Sequence, residues 1–262
     1  MTGFIALIRK ELAVLFGSPM AYLVLALVGL VTALLFFDHL RVYNQILFVY
    51  TSSASGGFEL GTLPDRVNLQ DQVFLPLMEQ LGVTLIGIVP LVTMRVFAEE
   101  RSRGTEEILL TSLLTPCQIV LGKFSATFLF VTLMLIGSLV YPAVAVIRAG
   151  LGLPHLAAVA LGLFALSYAL AAIGLACSAF SANQIIAAVS AYAVAFVIYD
   201  FGWLEPFASP DAGKLLDAIS LQPRFVGFAE GIVSLADLAY FGGIVATACA
   251  VARLGLDLVR VR

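Results

Sequence analysis

Charge is scarce in this sequence: 12% of its residues are Asp, Glu, Lys or Arg, against 61% hydrophobic, and the mean hydropathy is +1.04. A soluble domain clothes its surface with roughly 25% charged residues, so a water-soluble globule is excluded. The apolar runs are far longer than the roughly 10-residue alternating strands of a barrel, which leaves an α-helical membrane protein. A net charge of −3 argues against a nucleic-acid partner. Cys117, Cys177 and Cys249 are odd in number and fall in or beside apolar runs, so they read as packing residues and not as a disulfide framework. His39 and His155 stand alone near helix ends, without metal-ligand spacing. A phosphate-cradling loop, G-x-x-x-x-G-K-[ST], is missing too. Gly122-Lys123-Phe124 and Gly213-Lys214-Leu215 both lack the hydroxyl and the upstream glycine. No catalytic, metal or cofactor-binding residue is expected in this chain.

What is present is a series of apolar runs. The first, residues 20–37, carries no charge and crosses about 27 Å as a helix, with Ser18 as N-cap and Pro19 as first helical residue. No small-x-small cleavage site follows, so it reads as an uncleaved span. Ahead of it, Phe4, Leu7, Ile8, Leu12 and Leu15 recur at helical spacing with Arg9, Lys10 and Glu11 to one side. That pattern predicts an amphipathic interfacial helix over residues 1–17. Further spans are predicted at about 73–96, 116–147 (with Pro142 to kink or end it), 155–180, 185–199 (after a tight turn over 181–184) and 237–256. The polar segments 38–72 and 200–236 separate them, the first read as a loop. The fold class is therefore all-α, one six-span transmembrane domain over residues 1–262, without a soluble domain.

Six spans put both termini on one side. With the termini cytoplasmic, Arg9, Lys10, Arg95, Arg101, Arg103, Lys123, Arg253, Arg260 and Arg262 lie inside. Arg41, Arg66, Arg148, Lys214 and Arg224 lie outside. That distribution obeys the positive-inside rule and predicts a multi-pass inner-membrane protein with cytoplasmic termini.

The most charged stretch is 98–115, between spans 2 and 3. Arg95, Glu99 and Arg103 are spaced i, i+4 and can pair along one helix face. Gly104 stops that helix. Thr105 can cap a second, with Glu106 and Glu107 in its first turn, where the helix dipole favours anions. Thr115, Pro116 and Gln118 then read as N-cap, first residue and capping-box partner of span 3. A connector that only reversed direction would need few residues; a capped helix, corner and short helix suggest a docking surface. Its candidate residues are Glu99, Glu100, Arg101, Arg103, Gly104, Thr105, Glu106 and Glu107, with Leu109, Leu110 and Leu113 as apolar anchors. Glu79, inside span 2 or at its edge, is a separate candidate for a pathway or an interface.

Met94-Arg95-x-Phe97-Ala98-Glu99-Glu100-Arg101, Gly104-Thr105-x-Glu107-x-Leu109-Leu110-Thr111-Ser112 and Gln118-Ile119-Val120-Leu121-Gly122-Lys123-Phe124 together resemble the ABC-2 type permeases. These motifs look most like the gliding-motility-associated branch, and the opening Arg9-Lys10-Glu11-Leu12…Phe16-Gly17-Ser18-Pro19-Met20-Ala21-Tyr22 is similar to that branch as well. The resemblance implies a permease, an exporter or part of an envelope apparatus, with no enzymatic activity of its own. It would pair with a second permease and dock on a separate ATPase subunit that binds ATP and Mg. A membrane subunit with a large periplasmic domain is a further implied partner. Residues 98–115 would supply the coupling helix, and the interfacial helix would also sit against the ATPase. A secondary carrier or channel is the alternative, but it would favour ionisable residues or broken helices near the midplane, and spans 4 to 6 show almost none. An integral-membrane enzyme would need clustered His, Asp or Glu; only Glu99, Glu100, Glu106 and Glu107 cluster, interleaved with arginines.

Overall fold

The computed structural model describes residues 2–55, 68–106, 109, 111, 114–150, 152–201, 204 and 209–261. Among these residues every regular element is helical. They are α1 (Thr2–Gly17), α2 (Pro19–Ser55), a π-helical turn (Gln70–Phe74) leading into α3 (Leu75–Thr93), α4 (Ala98–Ser102), α5 (Pro116–Ser138), α6 (Val140–Ala149), α7 (Gly152–Phe180), α8 (Gln184–Tyr199), α9 (Pro210–Ile219), α10 (Gln222–Ala229) and α11 (Leu235–Val261). Five stretches are long and apolar enough to cross a membrane: Pro19–Ser52, Gln70–Ser102, Pro116–Ser138, Pro154–Phe180 and Leu235–Arg260. The sixth apolar helix, Gln184–Tyr199, is shorter.

One element differs from the sequence expectation. The segment from 38 onward is not a loop at its start, because α2 runs on to Ser55. No Gly or Pro falls within residues 38–55, and Leu40 and Tyr43 continue the packed face against the core. At 37 residues it is about 55 Å long, well beyond the roughly 30 Å of a bilayer's hydrocarbon. The third span breaks after Ser138 and resumes at Val140, the interruption expected from Pro142. Pro142 lies in the first turn of α6 and has no amide to give the Ser138 carbonyl, so the ladder lapses there.

Helix α7 is the hub, packed against α11, α8, α3, α5, α10 and α6. Its small residues allow close approach: Ala169, Ala171, Ala172 and Ala179 are buried, as expected where helices pack without a hydrophobic drive from lipid. Contact is tightest at Gly174, where an added Cβ would lie 1.9 Å from Thr93 Oγ1 and 2.8 Å from Thr93 Cβ. Rotating the threonine cannot relieve the second clash, so Gly174→Ala is expected to part α3 from α7. Overpacking of this kind costs about 1–3 kcal/mol, readable as a lowered unfolding temperature in detergent. An unchanged temperature would mean the two helices are not in such contact.

At the end of the bundle near Tyr199, the segment beyond α8 folds back on the core. Phe225 and Phe228 of α10 are buried, Ser220 Oγ donates to the Tyr199 carbonyl at 2.8 Å, and Arg224 pairs with Asp237 at 2.6 Å. The π-helical turn before α3 packs against α2 and α6. The opposite end carries the charged corner.

Candidate functional site

Helix α3 ends at Thr93, the chain turns through residues 94–97, and α4 begins at Ala98. A new helix so close to an old one leaves amides and carbonyls without partners. One side chain meets three of them. Ser178 Oγ, on α7, accepts from the Phe97 and Ala98 amides at 3.1 Å each and donates to the Met94 carbonyl at 3.0 Å. A hydroxyl has one proton and two lone pairs, so its capacity is fully used. Ser178 is completely buried. Sequence reasoning missed it: it sits among small residues in an apolar run and carries no local signal.

Helix α4 ends in a Schellman turn. The Thr105 amide reaches the Glu100 carbonyl at 2.9 Å and the Gly104 amide the Arg101 carbonyl at 3.2 Å, with Gly104 at φ +70°. A left-handed residue at this position favours glycine. The Thr105 Oγ1 donates to the Glu100 carbonyl at 3.3 Å; the amides it would cap, at 107 and 108, lie outside the described residues. Glu106 is buried and accepts both Arg101 Nε and Nη2, at 2.8 and 2.9 Å, folding the chain back over α4. Leu109 packs against the apolar cluster beneath the corner, which includes Val96, Phe97, Ile119 and Val120. Its face is thus turned toward the protein's own core. Glu107, Leu110 and Leu113 lie outside the described residues. The Thr115–Gln118 capping box forms with both reciprocal bonds.

Of the i, i+4 series, Glu99 takes Arg103 at 2.7 Å, while Arg95 donates to Ser18 Oγ at 2.9 Å. Glu100 turns the other way, into a four-charge cluster joining α1, α4 and α5. Lys123 Nζ is fully enclosed and lies 3.1 Å from Glu11 Oε1 and 2.9 Å from Glu100 Oε2, the latter an ion pair more than an aligned hydrogen bond. It also donates to the Val96 carbonyl at 2.8 Å and lies 5.1 Å from the Phe97 ring centroid. Lys10 closes the cluster from the exposed side, 3.1 Å from Glu11 and 2.5 Å from Glu100. Burial alone would lower the Lys10 pKa, but its bond to Glu100 and the charge of Glu11 hold it above the ordinary lysine value. That contribution is complete at neutral pH and is lost only as pH rises through the raised value. Arg9 remains exposed on α1.

The structure therefore brings Lys10, Glu11, Glu99, Glu100, Arg101, Arg103, Gly104, Thr105 and Glu106 to one corner and adds Lys123 and Ser178. Glu79 is elsewhere, on the exposed face of α3. The corner is a joint, in which the turn after α3 is fixed to α7 by one hydroxyl and α4 is tied to α1 and α5 by paired charges. Residues 62–243, well over half of the chain and including every corner residue except Lys10 and Glu11 of α1, match the family described as ABC-2 family transporter protein. No curated protein matches.

Proposed function

Because the chain belongs to the ABC-2 transporter family and is thus the permease component of an ABC transporter, we propose that its charged corner is the contact through which a separate ATPase subunit drives it. In this reading α8 crosses the membrane as a sixth span, both termini face the cytoplasm, and α1 lies in the inner-membrane interface. Two permeases, identical or related, pair over two ATPases that bind ATP and Mg. Export is the direction proposed. Work on an envelope apparatus is the finer alternative, and with it a partner that has a large periplasmic domain. That alternative follows the likeness of the opening residues to the gliding-motility-associated branch.

The observation that carries the proposal is the cluster at Lys123. A solvated connector has no need of an enclosed lysine holding two carboxylates from α1 and α4. A joint that passes force from α4 into α5 does need such a rigid tie. The test is to purify the chain with its ATPase after Glu106→Lys with Glu107→Lys, and separately after Gly104→Pro. Lysine at 106 faces Arg101, and proline cannot adopt φ +70°. Both variants should insert and fold, since the changes lie outside the apolar spans. Assembly or stimulated ATP turnover should fall at least about tenfold, the factor that about 1.4 kcal/mol carries. Full assembly and normal turnover in both would remove the coupling role.

A further inference from the structure

Arg95 is the one guanidinium at the corner without a carboxylate partner among the described residues. Glu99, one turn on, is taken by Arg103, and Glu11 and Glu100 are taken by the two lysines. Arg95 donates through Nη1 to Ser18, while its Nε is sealed from solvent with no acceptor. The side chain borders a cavity of about 410 Å³, within the roughly 300–1,000 Å³ of small-molecule sites. Ser18, Arg103, Lys123, Thr127 and Gln184 line the same cavity. Its basic residues outnumber its acidic ones, and those acids are already engaged. The cavity closes toward the bilayer: a crevice of only about 20 Å³ shares Arg95, Ser18 and Leu15 with it and ends among Ala21, Val24, Val92 and Phe130. All four of those are buried or half-buried apolar residues of α2, α3 and α5.

We propose that this cavity binds the phosphate of a phospholipid headgroup, with Arg95 as its principal ligand. Arg95 is half-buried with its Nε sealed from solvent, so its charge favours an anionic partner, and guanidinium matches phosphate oxygens with two parallel donors. The position agrees: Ser18 and Pro19 open the long apolar helix α2, so Arg95 stands where that helix enters the bilayer, at headgroup depth. At that depth a lipid headgroup is the nearest source of phosphate, and titration against soluble phosphate separates the two sources. The site rests on the chain crossing a membrane and not on the coupling role, so its failure would leave the permease proposal standing.

The protein, purified in detergent and stripped of lipid, is titrated with phosphatidylglycerol, with dioleoylglycerol and with inorganic phosphate. Binding is read by native mass spectrometry and by thermal unfolding. Phosphatidylglycerol is expected to be retained at one site per chain and to raise the unfolding temperature, while the other two do neither. Arg95→Gln should lower retention at least tenfold, and Arg95→Lys should lose less. If Arg95→Gln does not fold, the wild-type titration decides alone. Equal protection by inorganic phosphate or by dioleoylglycerol, no protection by phosphatidylglycerol, or undiminished retention in a folded Arg95→Gln each overturns the assignment.

Discussion

Lys123→Met is expected to destabilise the chain by about 3–5 kcal/mol, the cost of leaving a buried carboxylate without its partner. The lysine is enclosed, and the side chains of Glu11 and Glu100 retain only 11% and 14% of their exposure. Methionine fills a similar volume, so the loss is electrostatic and not a cavity. Lys10 still reaches both carboxylates from the exposed side, which places the effect toward the lower end of that range. The cluster is neutral as built, with two lysines and two glutamates. Adding Glu11→Gln to Lys123→Met restores neutrality, with Glu100 held by Lys10, and should recover much of the loss. A double-mutant cycle on unfolding in detergent measures this coupling. If Lys123→Met unfolds within about 0.5 kcal/mol of the parent, the range of an ordinary surface change, the cluster does not hold α1 to the corner.

Ser178→Ala should act on the same joint from the opposite side. It removes one hydroxyl and strands two buried amides, those of Phe97 and Ala98, together with the Met94 carbonyl. Each buried group left without a partner costs about 1–3 kcal/mol, while the volume lost is a single oxygen. The damage should be local: α4 begins less sharply and the elbow swings, with α7 still packed. Hydrogen exchange at residues 94–103 should therefore rise by tenfold or more while α7 stays protected. Ser178→Thr is the contrast, since it keeps the hydroxyl and adds a methyl in a tight space. Unchanged protection of the elbow in Ser178→Ala would mean that its amides find other acceptors.

The parts of this molecule that depend on near neighbours were legible in the sequence. Hydrophobic runs marked the apolar helices. The Thr115-Pro116-x-Gln118 cap and the Gly104 stop are written within a few residues and formed as read. What was not legible depends on residues distant in sequence. Lys123 looked like one more positive charge at the membrane face, because Glu11 lies 112 positions away. The spacing of Arg95, Glu99 and Arg103 allowed two pairings; Ser18, 77 positions away, drew Arg95 off and left Glu99 to Arg103. Residues 38–55 carried a readable signal, the absence of any Gly or Pro, but their polar content resembled a loop. Helix α2 continues there because tertiary packing, not composition, decides helix length.

The unequal lengths of the apolar helices have a consequence for the lipid around them. Helix α8, with 16 residues, reaches about 24 Å, several ångströms less than the hydrocarbon thickness of an average bilayer. Its outward residues, Ile185, Ile186, Val189 and Phe196, are all more than 60% exposed. Wherever that face meets lipid, the membrane must thin beside it, and the deformation has an elastic cost that grows with each ångström of mismatch. Acyl-chain length thereby becomes a mechanical load on one flank of the molecule. A thicker membrane would favour any arrangement that covers α8 with protein.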